Sequence, residues 1–255
     1  MFNPVFSRKK IFLFHLLFFL LLVSAFIWSK SFYWILISFN AVFFFYFLRF
    51  KKIIAEKKDY LFFILPGLFI NSLAFYLSLL ISKFYIILFL IVGLMVSFYY
   101  FSGLKKRVFR KNVLGSDSLS IWSDVLSLLF LFLTASFFYG LTYFLNINNW
   151  VLFVFISLML LVSSWQNIFL AKESFKTTIF FGSLFLFSVL PLVWILFFLP
   201  FNYNILGLLL SLCYYLGLSL IRFYLTKGLT IKKIKYNLIF IISLLIIILL
   251  LVKWR

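Results

Sequence analysis

Residues able to do chemistry are scarce in this chain, and where they fall narrows its function. Five carboxylates occur, Glu56, Asp59, Asp117, Asp124 and Glu173, each in or beside a polar stretch between long apolar runs. No two stand within an apolar run at the spacing that would set a pair on one helix face for metal binding or general acid–base work. The single histidine, His15, cannot supply a bis-histidine haem site or a histidine metal cluster within one chain. No Gly-x-Ser-x-Gly turn presents a serine nucleophile. The Asp-rich clusters of prenyl transfer and the His and Glu pairs of membrane metalloproteases are missing as well. No catalytic residue, cofactor or metal is therefore expected, and the chain reads as a non-enzyme.

Amides within the apolar runs are the next candidates. Asn40 and Asn71 fall in mid-run, and Gln166 and Asn167 fall near the end of another run. An amide in lipid needs a partner on a second helix, so these four side chains either glue helices together or line a solute path. His15 lies about four residues into the first run, near an interface, where a polar side chain is cheap to hold; a proton relay is the sharper alternative. Cys213 is the one cysteine, which excludes an intrachain disulfide and leaves packing as its role. Pro66-Gly67 and Pro191 predict kinks. Gly207-x-x-x-Ser211 and Cys213-x-x-x-Gly217 are small-residue pairs of the kind that let helices approach.

The elements that must position these groups are long and apolar. Of 255 residues, 66% are hydrophobic, and the mean hydropathy is +1.21. A soluble domain of average composition is about 45–50% apolar, and this chain could not hide the excess from water. About 20 apolar residues cross a bilayer as a helix. Nine runs approach that length: 11–29, 31–48, 61–82, 84–103, 122–145, 149–170, 178–199, 203–225 and 237–252. The expected fold is an all-α polytopic bundle, one integral membrane domain over 1–255, with about nine spans arranged as four helical hairpins and a C-terminal helix. The first run follows Arg8, Lys9 and Lys10 but is long for a signal peptide and lacks a small-x-small cleavage site, so it is expected to stay as a span.

Charge sets the orientation. The 24 basic residues face 5 acids, a formal charge of +19. All of the 24 but Lys30, Lys83, Lys253 and Arg255 fall on one side of the expected spans. The positive-inside rule then places that side, and the N-terminus, in the cytoplasm. The basic loops are expected to meet anionic lipid headgroups. No sequence-reading module accompanies them, so nucleic acid is not an expected partner.

Gln166-Asn167-Ile168-Phe169, followed by a polar turn from Lys172 and a new apolar run from Thr178, resembles a feature of an uncharacterised family of multi-spanning membrane proteins from candidate-phylum (Patescibacteria) bacteria. In that family an Asn-Ile-Phe ends one span and a short turn leads to the next. The similarity covers about 145–225 in layout, and Lys172-Glu173-Ser174 stands where the family has a more apolar turn. The resemblance implies a bacterial inner membrane and no particular chemistry. The resulting expectation is a non-catalytic membrane subunit or assembly factor, working with a membrane-protein partner or as a homo-oligomer. A small permease or lipid-handling transporter is the alternative.

Overall fold

A computed structural model describes residues 32–53, 62–109, 116–170 and 175–225, together with single helical positions at 235, 239, 242, 243 and 246. Among the described residues there is no strand, and seven helices carry the chain. They are α1 (Phe32–Ile53), α2 (Ile64–Ser78), α3 (Lys83–Phe109), α4 (Ser116–Leu145), α5 (Asn149–Leu170), α6 (Phe175–Leu196) and α7 (Tyr203–Leu225).

Five of the seven are long and apolar enough to cross a membrane: α3 over Lys83–Leu104, α4 over Leu119–Leu145, α5 over Asn149–Phe169, α6 over Lys176–Leu196 and α7 over Tyr203–Arg222. The count of nine spans is thus not reached. The runs 11–29 and 237–252 lie outside the described residues, apart from the single positions named above. In α1 the described apolar stretch is only Leu36–Phe45. In α2, 15 residues rise about 22 Å, against a hydrocarbon core of about 30 Å. The apolar run continues past Ser78, but the helix does not: Leu79 to Ser82 form a turn and an irregular link. Hydropathy alone could not separate these cases, because Leu80 and Ile81 are as apolar as the helix before them.

The chain divides into two compact units, Met1–Leu126 and Ser127–Arg255, the division falling within α4. In the first unit α2 packs against both α1 and α3. It is buried on nearly every face, through Leu65, Phe69, Ile70, Leu73, Ala74, Tyr76 and Leu77. A helix apolar all round belongs in an interior. Its entry is a 3₁₀ turn at Phe62 and Phe63, both fully buried. Pro66 sits in the first turn of α2, where the missing N–H would have had no partner inside the helix, so it opens the helix and breaks nothing. The Tyr100 hydroxyl of α3 donates to the Phe62 carbonyl at 2.8 Å and satisfies the entry turn.

In the second unit α6 packs closely on α5 and also on α7, and α5 meets α7. The hairpin plan expected α4 with α5 and α6 with α7 as the intimate pairs. The α5–α6 contact is closer than that plan implied, because Gly182 of α6 has no side chain where the Trp165 indole of α5 approaches, and a Cβ there would overlap the indole's Cδ1 and Nε1. The turns at the other end are set by asparagines. Asn146 has φ of 54° and ends α4 in the left-handed region, which asparagine tolerates better than most residues. The Asn148 and Asn202 side-chain oxygens accept the backbone N–H of Trp150 at 3.0 Å and of Asn204 at 3.1 Å. Both act as N-caps, for α5 and α7. α6 runs unbroken through Pro191.

The polar stretch 104–121 between two apolar runs is helical at both ends. α3 continues through Lys105, Lys106 and Arg107, and α4 begins at Ser116. Lys and Arg are good helix formers, so nothing stops the helix where the apolar run stops. Asp124, two residues into the apolar run 122–145, lies more than two turns inside α4, beyond the reach of the terminal dipole.

Candidate functional site: two intramembrane polar seams

The four amides singled out by sequence fall into two separate arrangements. In the first unit Asn40 of α1 and Asn71 of α2 face each other as a closed amide pair. The Asn40 Nδ2 donates to Asn71 Oδ1 at 2.8 Å, and the Asn71 Nδ2 donates back to Asn40 Oδ1 at 2.9 Å. The remaining N–H of each amide returns to its own helix, Asn40 to the Leu36 carbonyl at 2.9 Å and Asn71 to the Gly67 carbonyl at 2.8 Å. All four donors are therefore used. Each asparagine is half-buried, and an amide pair so placed joins two helices without exposing an N–H to lipid.

In the second unit Asn167 of α5 is fully buried and works as a hub. Its Nδ2 lies 2.5 Å from Ser127 Oγ on α4, 3.0 Å from the Ser163 carbonyl and 3.2 Å from the Tyr214 hydroxyl on α7. The Ser163 and Tyr214 hydroxyls share a further hydrogen bond of 2.8 Å. Three helices are thus tied at one depth. The Tyr214 ring meets Phe185 of α6 edge-on at 5.4 Å, which brings the fourth helix to the same place. Gln166 is buried beside the hub and is also engaged. A second hydroxyl, Tyr139 on α4, donates to the Val193 carbonyl on α6 at 3.2 Å.

Other hydroxyls close on their own helices. Ser72 donates to Leu68, Ser97 to Gly93, Thr134 to Phe130 and Ser157 to Phe153, all carbonyls one turn back. Such local bonds are how Ser and Thr satisfy themselves within an apolar helix. Among the described residues two buried side-chain polar atoms have no hydrogen-bond partner, Ser136 Oγ and Trp165 Nε1. Ser136 abuts Gly207 at the closest approach of α4 and α7: a Cβ at Gly207 would lie 2.8 Å from the Ser136 nitrogen and 2.9 Å from the Phe132 carbonyl oxygen. The small-residue pair read at Gly207 and Ser211 therefore has a definite partner, while Gly217 faces the Phe185 ring.

Ser127, Ser163 and Tyr214 were not singled out by sequence. Serine and tyrosine are common in these runs, and nothing in their spacing marks which will meet Asn167. His15 lies outside the described residues. Among the described residues no group of three or more His, Cys, Asp or Glu is placed to hold a metal ion.

At the start of α5 and the end of α6, the end of α6 away from Lys176, an aromatic cluster forms. Trp150 and Trp194 lie 4.2 Å apart between ring centroids, with Phe153, Phe197 and Phe198 around Trp194. Trp150 is 62% exposed, as suits a ring at a membrane–water boundary.

The length and composition of five helices define a membrane-embedded helical protein. No family model, no curated protein and no solved structure matches the chain.

Proposed function

We propose that this protein is a non-catalytic membrane subunit or assembly factor of a bacterial inner membrane, with its N-terminus in the cytoplasm. The observation that carries this reading is the use of the amide donors. Asn40 and Asn71 spend every N–H on each other and on their own helices, and Asn167 divides its two N–H among three neighbouring acceptors. A solute path needs polar groups that can exchange partners with a passing solute, whereas these are closed contacts between helices. The orientation rests on the basic residues, which gather at one set of helix ends, and on the Trp150 and Trp194 cluster at the opposite end of the second unit. The cytoplasmic Lys and Arg would meet anionic headgroups.

Purification of the tagged protein from its native membrane in mild detergent tests the reading. A stoichiometric membrane-protein partner is expected, and its identity names the process served. Recovery of the protein alone with a bound solute or a specific lipid would instead make it a small permease or lipid-handling transporter.

A further inference from the structure

An open groove of about 440 Å³ runs between α6 and α7. Phe185 and Val189, both buried, form its floor. The Phe185 ring lies across Gly217, where a Cβ would overlap it. Leu184 and Ile221 stand at one end of the groove, Leu192 and Cys213 at the other. Its one hydroxyl, Ser188, donates to the Phe185 carbonyl at 2.7 Å, so the lining offers a ligand almost nothing but hydrocarbon. We propose that the groove seats one acyl chain of an anionic phospholipid, with the lipid phosphate at the end marked by Arg222 and Lys176. The inference rests on the reading of the basic residues as headgroup contacts and deepens it, by naming one place built for one lipid.

Three observations support that occupant. The first is setting. Both helices are long and apolar enough to cross a membrane, and Leu184 and Ser188 are exposed, so the groove opens outward. What lies beside such a helix in a bilayer is lipid chain. The second is direction. Leu184 to Leu192 is eight residues, about 12 Å along the helix axis, and Cys213 to Ile221 is the same. The groove therefore runs lengthwise along the helices, as an acyl chain runs in a bilayer.

The third is the change of chemistry from one end to the other. From Leu192 to Cys213 the sequence carries no charge. At the other end Ile221 is followed by Arg222, half-buried and engaged, so its guanidinium is held at that level. Tyr224 continues the face of Leu220 and Ile221 by one turn, and its ring lies 5.8 Å from that of Phe181. An exposed tyrosine suits the headgroup level. Lys176 is exposed in the first turn of α6, and no acid shares that turn. A chain in the groove is thus oriented, with its headgroup toward two cations, and basic clefts between spanning helices favour anionic headgroups.

Native mass spectrometry of the full chain tests the proposal. The protein is stripped of lipid in mild detergent and titrated with phosphatidylglycerol or phosphatidylcholine. The first equivalent of phosphatidylglycerol is expected to bind more tightly than phosphatidylcholine, by roughly fivefold for each of the two basic residues. Lys176→Gln and Arg222→Gln should each lose about that factor for phosphatidylglycerol and leave phosphatidylcholine unchanged. Ser188→Trp fills the groove and should remove the tight equivalent; Cys213→Phe, at the uncharged end, does the same and stands in if the first variant is poorly made. Groove-filled variants that bind phosphatidylglycerol as the parent does would place the lipid elsewhere, with the headgroup reading intact. Equal affinity of the parent for the two lipids would remove the headgroup reading itself. Either result overturns the proposal.

Discussion

The two units solve the same problem differently. Each must hold asparagine among apolar side chains. In the first, Asn40 and Asn71 answer each other, and two helices are joined by a symmetrical pair whose members otherwise bond back to their own helices. In the second, Asn167 is answered by groups unlike itself, and the result ties α4, α5 and α7 together. A pair is economical but brittle, since losing either member strands the other. A hub spreads the loss, because Ser163 and Tyr214 still hold each other when Asn167 is gone. The hub also demands close packing, and Gly207 against Ser136 supplies it.

The largest effect is expected where close packing is removed. In Gly207→Leu the new side chain meets the backbone of Phe132 and Ser136, atoms that cannot swing aside. α4 and α7 must separate, at a cost of about 3 kcal/mol, the upper end for overpacking. A thermal melt of the detergent-purified protein should show a lowered midpoint. An unchanged midpoint would mean that α4 and α7 do not approach as described, and the hub would lose its frame.

Asn167→Leu is expected to come next, at about 2 kcal/mol, because it removes an amide whose two N–H are shared among three buried acceptors. The same melt reads it. A midpoint unchanged from the parent would mean that Asn167 is not what ties α4, α5 and α7 together.

The pair is tested by a double-mutant cycle on Asn40→Leu and Asn71→Leu. Each single change should cost about 1–2 kcal/mol, and the double change should cost clearly less than their sum, since neither amide is left stranded. Additive losses would show the two asparagines to be independent. Protein levels also bear on function: normal levels with loss of a transported solute would favour the permease, and lowered levels favour adhesion.

Much of this was legible in the sequence, and the limits have physical causes. Apolar length located the helices that cross, because the bilayer imposes a length that composition reports directly. It failed at α2, where the run from 61 to 82 continues through a turn at Leu79. It failed again at the ends of α3 and α4, since helices do not stop where charges begin. Asn40, Asn71, Gln166 and Asn167 stood out because an amide is costly in lipid. Their partners did not, since pairing across 31 or 47 residues depends on the rotation and depth of two helices, which no local pattern encodes. The turn asparagines Asn146, Asn148 and Asn202 were visible as breaks between runs, but their roles as caps needed backbone angles.

The smallest expected effect concerns Ser136. Its hydroxyl is buried without a partner where α4 meets Gly207 of α7, about two and a half helix turns along α4 from Ser127 of the hub. A buried hydroxyl that makes no hydrogen bond contributes a desolvation penalty and little else. Ser136→Ala keeps the small volume that Gly207 requires and removes the stranded oxygen. Its melt should fall within about 0.5 kcal/mol of the parent, or slightly above it. A loss of more than about 1 kcal/mol, the worth of a real hydrogen bond, would mean that the hydroxyl has a partner in the membrane. The α4–α7 contact would then be a second polar seam, and the contrast between a brittle pair and a single hub would need redrawing.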